Sequence, residues 1–318
     1  MKGLGWIGIF LVFPLCASAQ SIEDGIGLFN KGKFADAKAV FESVLKNNDK
    51  NAEAHYRLGL ILLSRRFMNE DDAVDHMEQA VEISSTNADY HYGLGAAYGM
   101  KARSAGVIKQ AFLAPKVRRE FEKAVSLNPQ LVDAHIGLAQ YYWQAPGIMG
   151  GDMEKAYREA DIAIQLDEMK GRSLKANILL AEKKNADASQ EMKTLTQHRT
   201  GDWHAWRVAG MFFWRNQVTD EAIASFEKYA ALRPDTADSH QWLALACYQN
   251  KDATQAIANA KKALTLDHEN INAIHVLAQA YELNGQKKEA RENYERLLVL
   301  DISPEYRTTA EKKIKELQ

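Results

Sequence analysis

A period of 34 residues constrains this chain more than any other feature. Ala222, Ala256 and Ala290 are spaced 34 apart, as are Gly210, Ala244 and Ala278. Phe226, Ala260 and Tyr294 form a third column in the same step. Self-similarity at this length means one small structural unit used repeatedly, each copy burying its neighbour's apolar face. The length prior alone divides 318 residues into about two ordinary domains; the period replaces that division with one array.

Each period contains two stretches with apolar residues at helical spacing, joined by a short turn. The first stretch pairs an apolar and a small residue with a later aromatic: Leu94-Gly95 with Tyr98, Leu138-Ala139 with Tyr142, Leu277-Ala278 with Tyr281. The second carries alanine and then a large residue four positions on, as in Ala37 and Phe41, Ala73 and Met77, Ala222 and Phe226. Gly59, Gly95, Gly210 and Ala222 leave room where two helices cross. Asn128-Pro129 and Arg233-Pro234 end two units, because proline does not continue a helix.

These columns resemble the tetratricopeptide repeat family. The family's first-helix tryptophan is matched by Trp206, and His55, His91, His135 and His240 stand in its place elsewhere, read as partly buried packing residues. The resemblance implies an all-α fold: a right-handed superhelical solenoid of helix-turn-helix units, with the first helices lining the concave side. About eight units fill residues 20–304, laid out as 18–51, 52–87, 88–131, 132–170, 171–202, 203–236, 237–270 and 271–304. The first unit's formal start overlaps the leader, and 171–202 departs furthest from the pattern. Residues 305–318 read as a polar helix that caps the last apolar face.

Residues 1–19 have another character. Lys2 precedes an uncharged apolar run from Leu4 to Leu15, and Ala17-Ser18-Ala19 supplies a small-x-small end. This is the layout of a secretory signal peptide cleaved after Ala19, too short to span a bilayer comfortably. Leu15 stands before Cys16 where a lipoprotein signal needs a small residue, so cleavage is expected in preference to lipidation. A periplasmic or secreted location follows, in a bacterial envelope setting. The mature chain would keep a single cysteine, Cys247, on an apolar helix face, where a buried structural thiol is expected.

Chemistry-bearing motifs fail on inspection. Gly27 to Lys33 matches most of a phosphate-binding loop, but Phe34 stands where a serine or threonine should bind magnesium, and the segment reads as helix and turn. The nine histidines form no His-Glu-x-x-His run, and Asp72, Asp75 and His76 read as a solvated helix face. No Gly-x-Ser-x-Gly elbow occurs. No cofactor, no metal and no catalytic residues are therefore assigned. With 40 Lys+Arg against 42 Asp+Glu, no basic excess argues for nucleic acid.

A partner is expected instead on the face beside the packing stripe. It offers Tyr56, Leu60 and Leu63; Tyr92, Ala96 and Gly99; Ile136, Gln140 and Trp143. Further along it offers Arg207, Met211 and Trp214; Gln241, Leu245 and Tyr248; and a polar end at His275, Gln279 and Glu282. Aromatics, Met and Arg suit protein or peptide segments. Stacking on sugar rings also fits, which keeps a glycan-handling accessory as an alternative; an enzyme with an unrecognised site is a third class. Some of these aromatics are expected to pack between units. Two insertions interrupt the period, at 101–115 and 145–151; both are expected between adjacent units, with Ile148 and Met149 a second candidate contact. The sequence thus predicts a non-catalytic scaffold that presents a preformed groove.

Overall fold

The computed structural model describes residues 21–317 and divides into two compact units on either side of Glu159 and Ala160. The signal-peptide expectation lies outside the described residues. Among those described, every regular element is a helix. The first unit contains α1 (Ile22–Asn30), α2 (Phe34–Asn47), α3 (Ala52–Leu62), α4 (Glu70–Ile83), α5 (Ala88–Ser104), α6 (Val107–Leu127) and α7 (Val132–Gln144). A single 3-10 turn at Gly147–Met149 leads to α8 (Met153–Leu166). The second unit continues with α9 (Glu168–Ala181), α10 (Asn185–His198), α11 (Trp203–Arg215), α12 (Thr219–Leu232), α13 (Ala237–Gln249) and α14 (Ala253–Leu266). It closes with α15 (Ile271–Leu283), α16 (Lys287–Leu298) and α17 (Pro304–Glu316).

Local sequence starts and stops these helices. Asn51, Asn69, Asn87, Asp167 and Asn270 each accept a first-turn N–H through a side-chain oxygen, satisfying donors that the helix leaves open. Asp167 thereby starts α9 at Glu168, ahead of the position 171 read from the sequence. In the second unit the short turn inside each of four successive helix pairs uses one left-handed residue. Lys183, Gln217, Lys251 and Gly285 supply it with φ of 61°, 59°, 61° and 76°, and they stand 34 apart. Only Gly285 adopts this without a Cβ penalty. The column includes Lys183, so the segment with the weakest sequence pattern keeps the same turn as its successors.

Packing follows the small-and-large pairs. Phe226 sits so close to Gly210 that a Cβ there would lie 2.6 Å from its ring. Met77 lies against Gly59, and Phe121 is held between Gly95 and Gly137, within 2.7 Å of where either would carry a Cβ. In the first unit, Ala37, Phe41, Ala54, Leu58 and Ile61 form one core cluster. In the second, Ile274, Ala278, Tyr294 and Leu297 are joined by Ile302 and by Ala310 from α17. The last helix thus covers apolar surface that the array would otherwise expose.

The histidine column is a hydrogen-bond column. Nε2 of His55, His91, His135 and His240 pairs with the carbonyl six residues back, at Asp49, Ser85, Pro129 and Pro234. The Trp206 indole N–H donates to the Thr200 carbonyl, again six residues back, at 2.8 Å. A ring nitrogen at this position therefore pins the preceding turn, and both imidazole and indole fill the role. The other ring nitrogen reaches the second helix of the pair: His91 meets Glu120 and His135 meets Glu159, each at 2.6 Å. His55 instead faces His76, Nδ1 to Nδ1, at 2.9 Å. Cys247 is buried, and burial, reinforced by Asp252 and Glu227, pushes its thiol up to about 12. It is a neutral packing group at physiological pH.

The two insertions lie inside helix pairs, contrary to the expectation that they join adjacent units. The first is no loop: it extends α5 to Ser104 and begins α6 at Val107, with Pro115 inside the helix. Proline is accepted because its ring is exposed and the Ala111 carbonyl it leaves unbonded is on an exposed residue too, open to water. The second insertion forms the 147–149 turn. It packs back on the pair, since Asp152 N–H bonds the Tyr142 carbonyl at 2.9 Å and the Tyr141 hydroxyl donates to the Met149 carbonyl. A Cβ on Gly151 would lie 1.8 Å from the Ala145 carbonyl oxygen, so the turn closes only with glycine there.

Candidate interaction cleft

The lengthened helices of the first unit border a cleft. It has a volume of about 470 Å³ and lies between α5, α6, α7 and the 147–149 turn. Tyr92, Ala96 and Gly99 come from α5, Ala114, Val117 and Phe121 from α6, Ile136 and Gln140 from α7, and Met149 from the turn. The spacing of 92, 96 and 99 and of 136 and 140 puts each set on one helix face. Gly99 has nothing within 4 Å of where its Cβ would stand, so the floor is open at that point.

The lining is apolar below and polar at the rim. Tyr92 rests 5.9 Å from the Phe121 ring, and its phenol is raised by burial first and by Asp133 second, so it is a neutral hydroxyl there. Gln140 and Gln144 are exposed at the edge. Arg103 also lines the cleft and forms no ion pair within 4 Å among the described residues. A cavity of this size, with an apolar floor and a few polar groups, matches the general character of ligand sites. The Tyr92 face and Met149, read separately from the sequence, are brought together here. Arg103, Val117 and Phe121 complete the cleft and were missed: Arg103 lies one turn beyond Gly99 on α5, past the end of the face read from the sequence, and Val117 and Phe121 belong to the second helix of the pair.

Other predicted positions are taken up by packing. Tyr56 lies 5.0 Å from the Tyr90 ring and against Gly93 on α5; burial raises its phenol to about 12. Trp143 is half-buried and does not line the cleft. Ile148 is 95% exposed and points away from any core. In the second unit, Arg207 pairs with Asp238 at 3.0 Å, and the Tyr229 hydroxyl donates to the same carboxylate. Trp214 meets Trp242 edge-on, with ring centroids 5.4 Å apart. Tyr248 packs against the Ala244–Tyr281 cluster, and Met211 is half-buried. The expected polar end is occupied too: Tyr306 of α17 contacts His275, and Lys313 pairs with Glu282 at 2.7 Å.

Among the described residues, no group of three or more His, Cys, Asp or Glu is placed to hold a metal ion, and no helix is long and apolar enough to cross a membrane. Gly27 lies within α1 and Gly32 in the turn after it, so no strand-loop-helix cradle surrounds Lys33.

Comparison with known proteins agrees with this architecture. A tetratricopeptide repeat model matches residues 24–88 and 174–236, and a model described as anaphase-promoting complex, cyclosome, subunit 3 matches 215–297. Tetratricopeptide-type repeats are thus present in both units. Tetratricopeptide repeat protein 37 of Xenopus laevis is 27% identical over 282 residues, covering 86% of this chain and 17% of that protein. Superkiller complex protein 3 of Homo sapiens is 27% identical over 279 residues, covering 85% of this chain and 17% of its own length. The chain spans about one sixth of the length of these relatives. The crystal structure of yeast Tom70 aligns with a TM-score of 0.63 at 16% identity, covering 97% of this chain and 66% of that one. This likeness bears on the fold alone, which is an all-helical repeat.

Proposed function

We propose that this chain is a non-catalytic scaffold that binds a peptide segment of a partner protein in the cleft of its first unit. The observation that carries the reading is the cleft itself, where α5, α6, α7 and the 147–149 turn converge on an apolar floor. Helices fix the lining residues, so little ordering is needed on binding. An apolar or aromatic side chain of the partner would rest on Tyr92, Phe121, Ile136 and Met149, while its backbone meets the Gln140 and Gln144 amides. The names of the curated relatives, a repeat protein and a component of a protein complex, support a partner of protein class. The setting we propose is the bacterial periplasm or envelope, which rests on the leader-like residues 1–19. The mature chain should then begin at Gln20, and a secreted protein whose mass still includes those residues would contradict it.

Blocking the cleft tests the binding reading. Gly99 has open space beyond its Cα, so Gly99→Trp fills the cleft without a clash at Cβ. Peptides selected from a displayed library on the parent chain should lose at least about tenfold in affinity for Gly99→Trp, a penalty of about 1.4 kcal/mol. Selected peptides that bind both chains equally would place recognition elsewhere.

A further inference from the structure

Residues 101–119 contain six cations, Lys101, Arg103, Lys109, Lys116, Arg118 and Arg119, and no acidic residue. The whole chain carries −2, so the remaining residues carry −2 − 6 = −8, and the segment opposes the charge of its own protein. The structure folds its larger part as the first turns of α6 and leaves one side of that helix uncovered. Val107, Ile108 and Phe112 are 70%, 84% and 77% exposed. Ala111 and Pro115 are exposed on the same apolar strip. Lys101, Lys109 and Lys116 surround it. At helical spacing, Ile108 and Phe112 lie on the side of α6 opposite Gln110 and Ala114, which face the cleft. The strip is therefore a separate surface.

Its shape and charge both limit the occupant. The large side chains are 70–84% exposed and border a shallow hollow that is open to solvent and ringed by lysines. A bilayer accepts such exposed apolar tips without a complementary surface of its own and, when anionic, attracts the surrounding lysines. Lys101 is partly neutralised by Asp71 at 2.7 Å, and Glu78 lies 3.9 Å from Lys116. Lys109 has no ion-pair partner within 4 Å among the described residues. We propose that the exposed strip at the start of α6 docks the protein peripherally on an anionic lipid surface, with Ile108 and Phe112 inserted at the headgroup boundary. The cleft on the other side of the helix would remain open to its peptide.

The test compares the parent with Ile108→Asp/Phe112→Asp. Both chains start at Gln20, which retains every described helix and removes the apolar run 4–15. Co-sedimentation is measured with vesicles of phosphatidylcholine alone and of phosphatidylcholine mixed with phosphatidylglycerol. The parent should sediment with the anionic vesicles, release at high salt, and lose at least about tenfold in affinity in the double variant. Both positions are exposed, and an unchanged circular dichroism melt would show an intact fold. Lys109→Glu/Lys116→Glu provides a second variant, expected to lose binding through charge alone. Failure of the parent to bind anionic vesicles, equal binding to both vesicle types, or unaltered binding of both variants would overturn the proposal. A concentration-dependent self-association abolished by Ile108→Asp/Phe112→Asp, without vesicle binding, would assign the strip to a protein contact and overturn it as well.

Discussion

Alanine at Gly171 should lower the stability of the second unit by about 3 kcal/mol or more, although it adds one methyl group. The reason is that its neighbour is backbone. A Cβ at 171 would stand 2.2 Å from the Ile164 nitrogen and 2.5 Å from the Ile164 Cα, where α8 and α9 approach each other. No side-chain rotation relieves that contact, so one helix must shift and the buried Ala160, Ala163 and Leu174 around it must repack. Gly59→Ala provides the contrast in the first unit, since its nearest neighbour is the flexible end of Met77 at 2.7 Å. Urea unfolding followed by tryptophan fluorescence reads the second unit well, because Trp203, Trp206, Trp214 and Trp242 all lie in it. A loss below about 1 kcal/mol for Gly171→Ala would mean the two helices are not in backbone contact.

Removing the carboxylate at Glu120 should cost about 3–5 kcal/mol, the range for breaking one partner out of a buried pair. The His91 and Glu120 side chains are 8% and 5% exposed and meet at 2.6 Å. The other His91 nitrogen is committed to the Ser85 carbonyl at 3.0 Å. In Glu120→Ala the ring nitrogen keeps its burial and loses its acceptor, and Arg119 loses a carboxylate that it contacts at 2.7 Å. Glu120→Gln keeps an acceptor oxygen and should cost clearly less. Replacing both His91 and Glu120 by leucine should cost less than the sum of the single changes. Chemical unfolding of these variants, read by circular dichroism, decides the matter. A loss below about 1 kcal/mol for Glu120→Ala would show that the pair contributes little.

These two residues also show where sequence reading stops. The repeat, its helix pairs and its glycine-against-aromatic contacts are visible in the sequence because each rests on a fixed spacing along one chain. The role of the histidines is only half visible. Their column is in register, but the carbonyl six residues back and the carboxylate on the paired helix belong to positions with no residue-type signal of their own. Gly171 gives no warning either, since its importance comes from a neighbouring backbone. For the candidate site, helical spacing identified which face Tyr92, Ile136 and Gln140 share. It did not reveal what the next helix places against that face, so Tyr56, Arg207, Trp214 and His275 prove to be engaged by Tyr90, Asp238, Trp242 and Tyr306. The cleft itself depends on the insertion at 101–115. The sequence placed that insertion between adjacent units, whereas it lies inside a helix pair, where the exposed position of the Pro115 ring lets α6 run through it and extend one wall.

With α5 and α7, this wall bounds the proposed peptide site. The decisive measurement is the dissociation constant of one selected peptide for the parent chain and for Gly99→Trp, taken side by side with their thermal midpoints. Matching midpoints and at least about a tenfold weaker complex are expected for the tryptophan variant. Matching midpoints with equal dissociation constants would contradict that site.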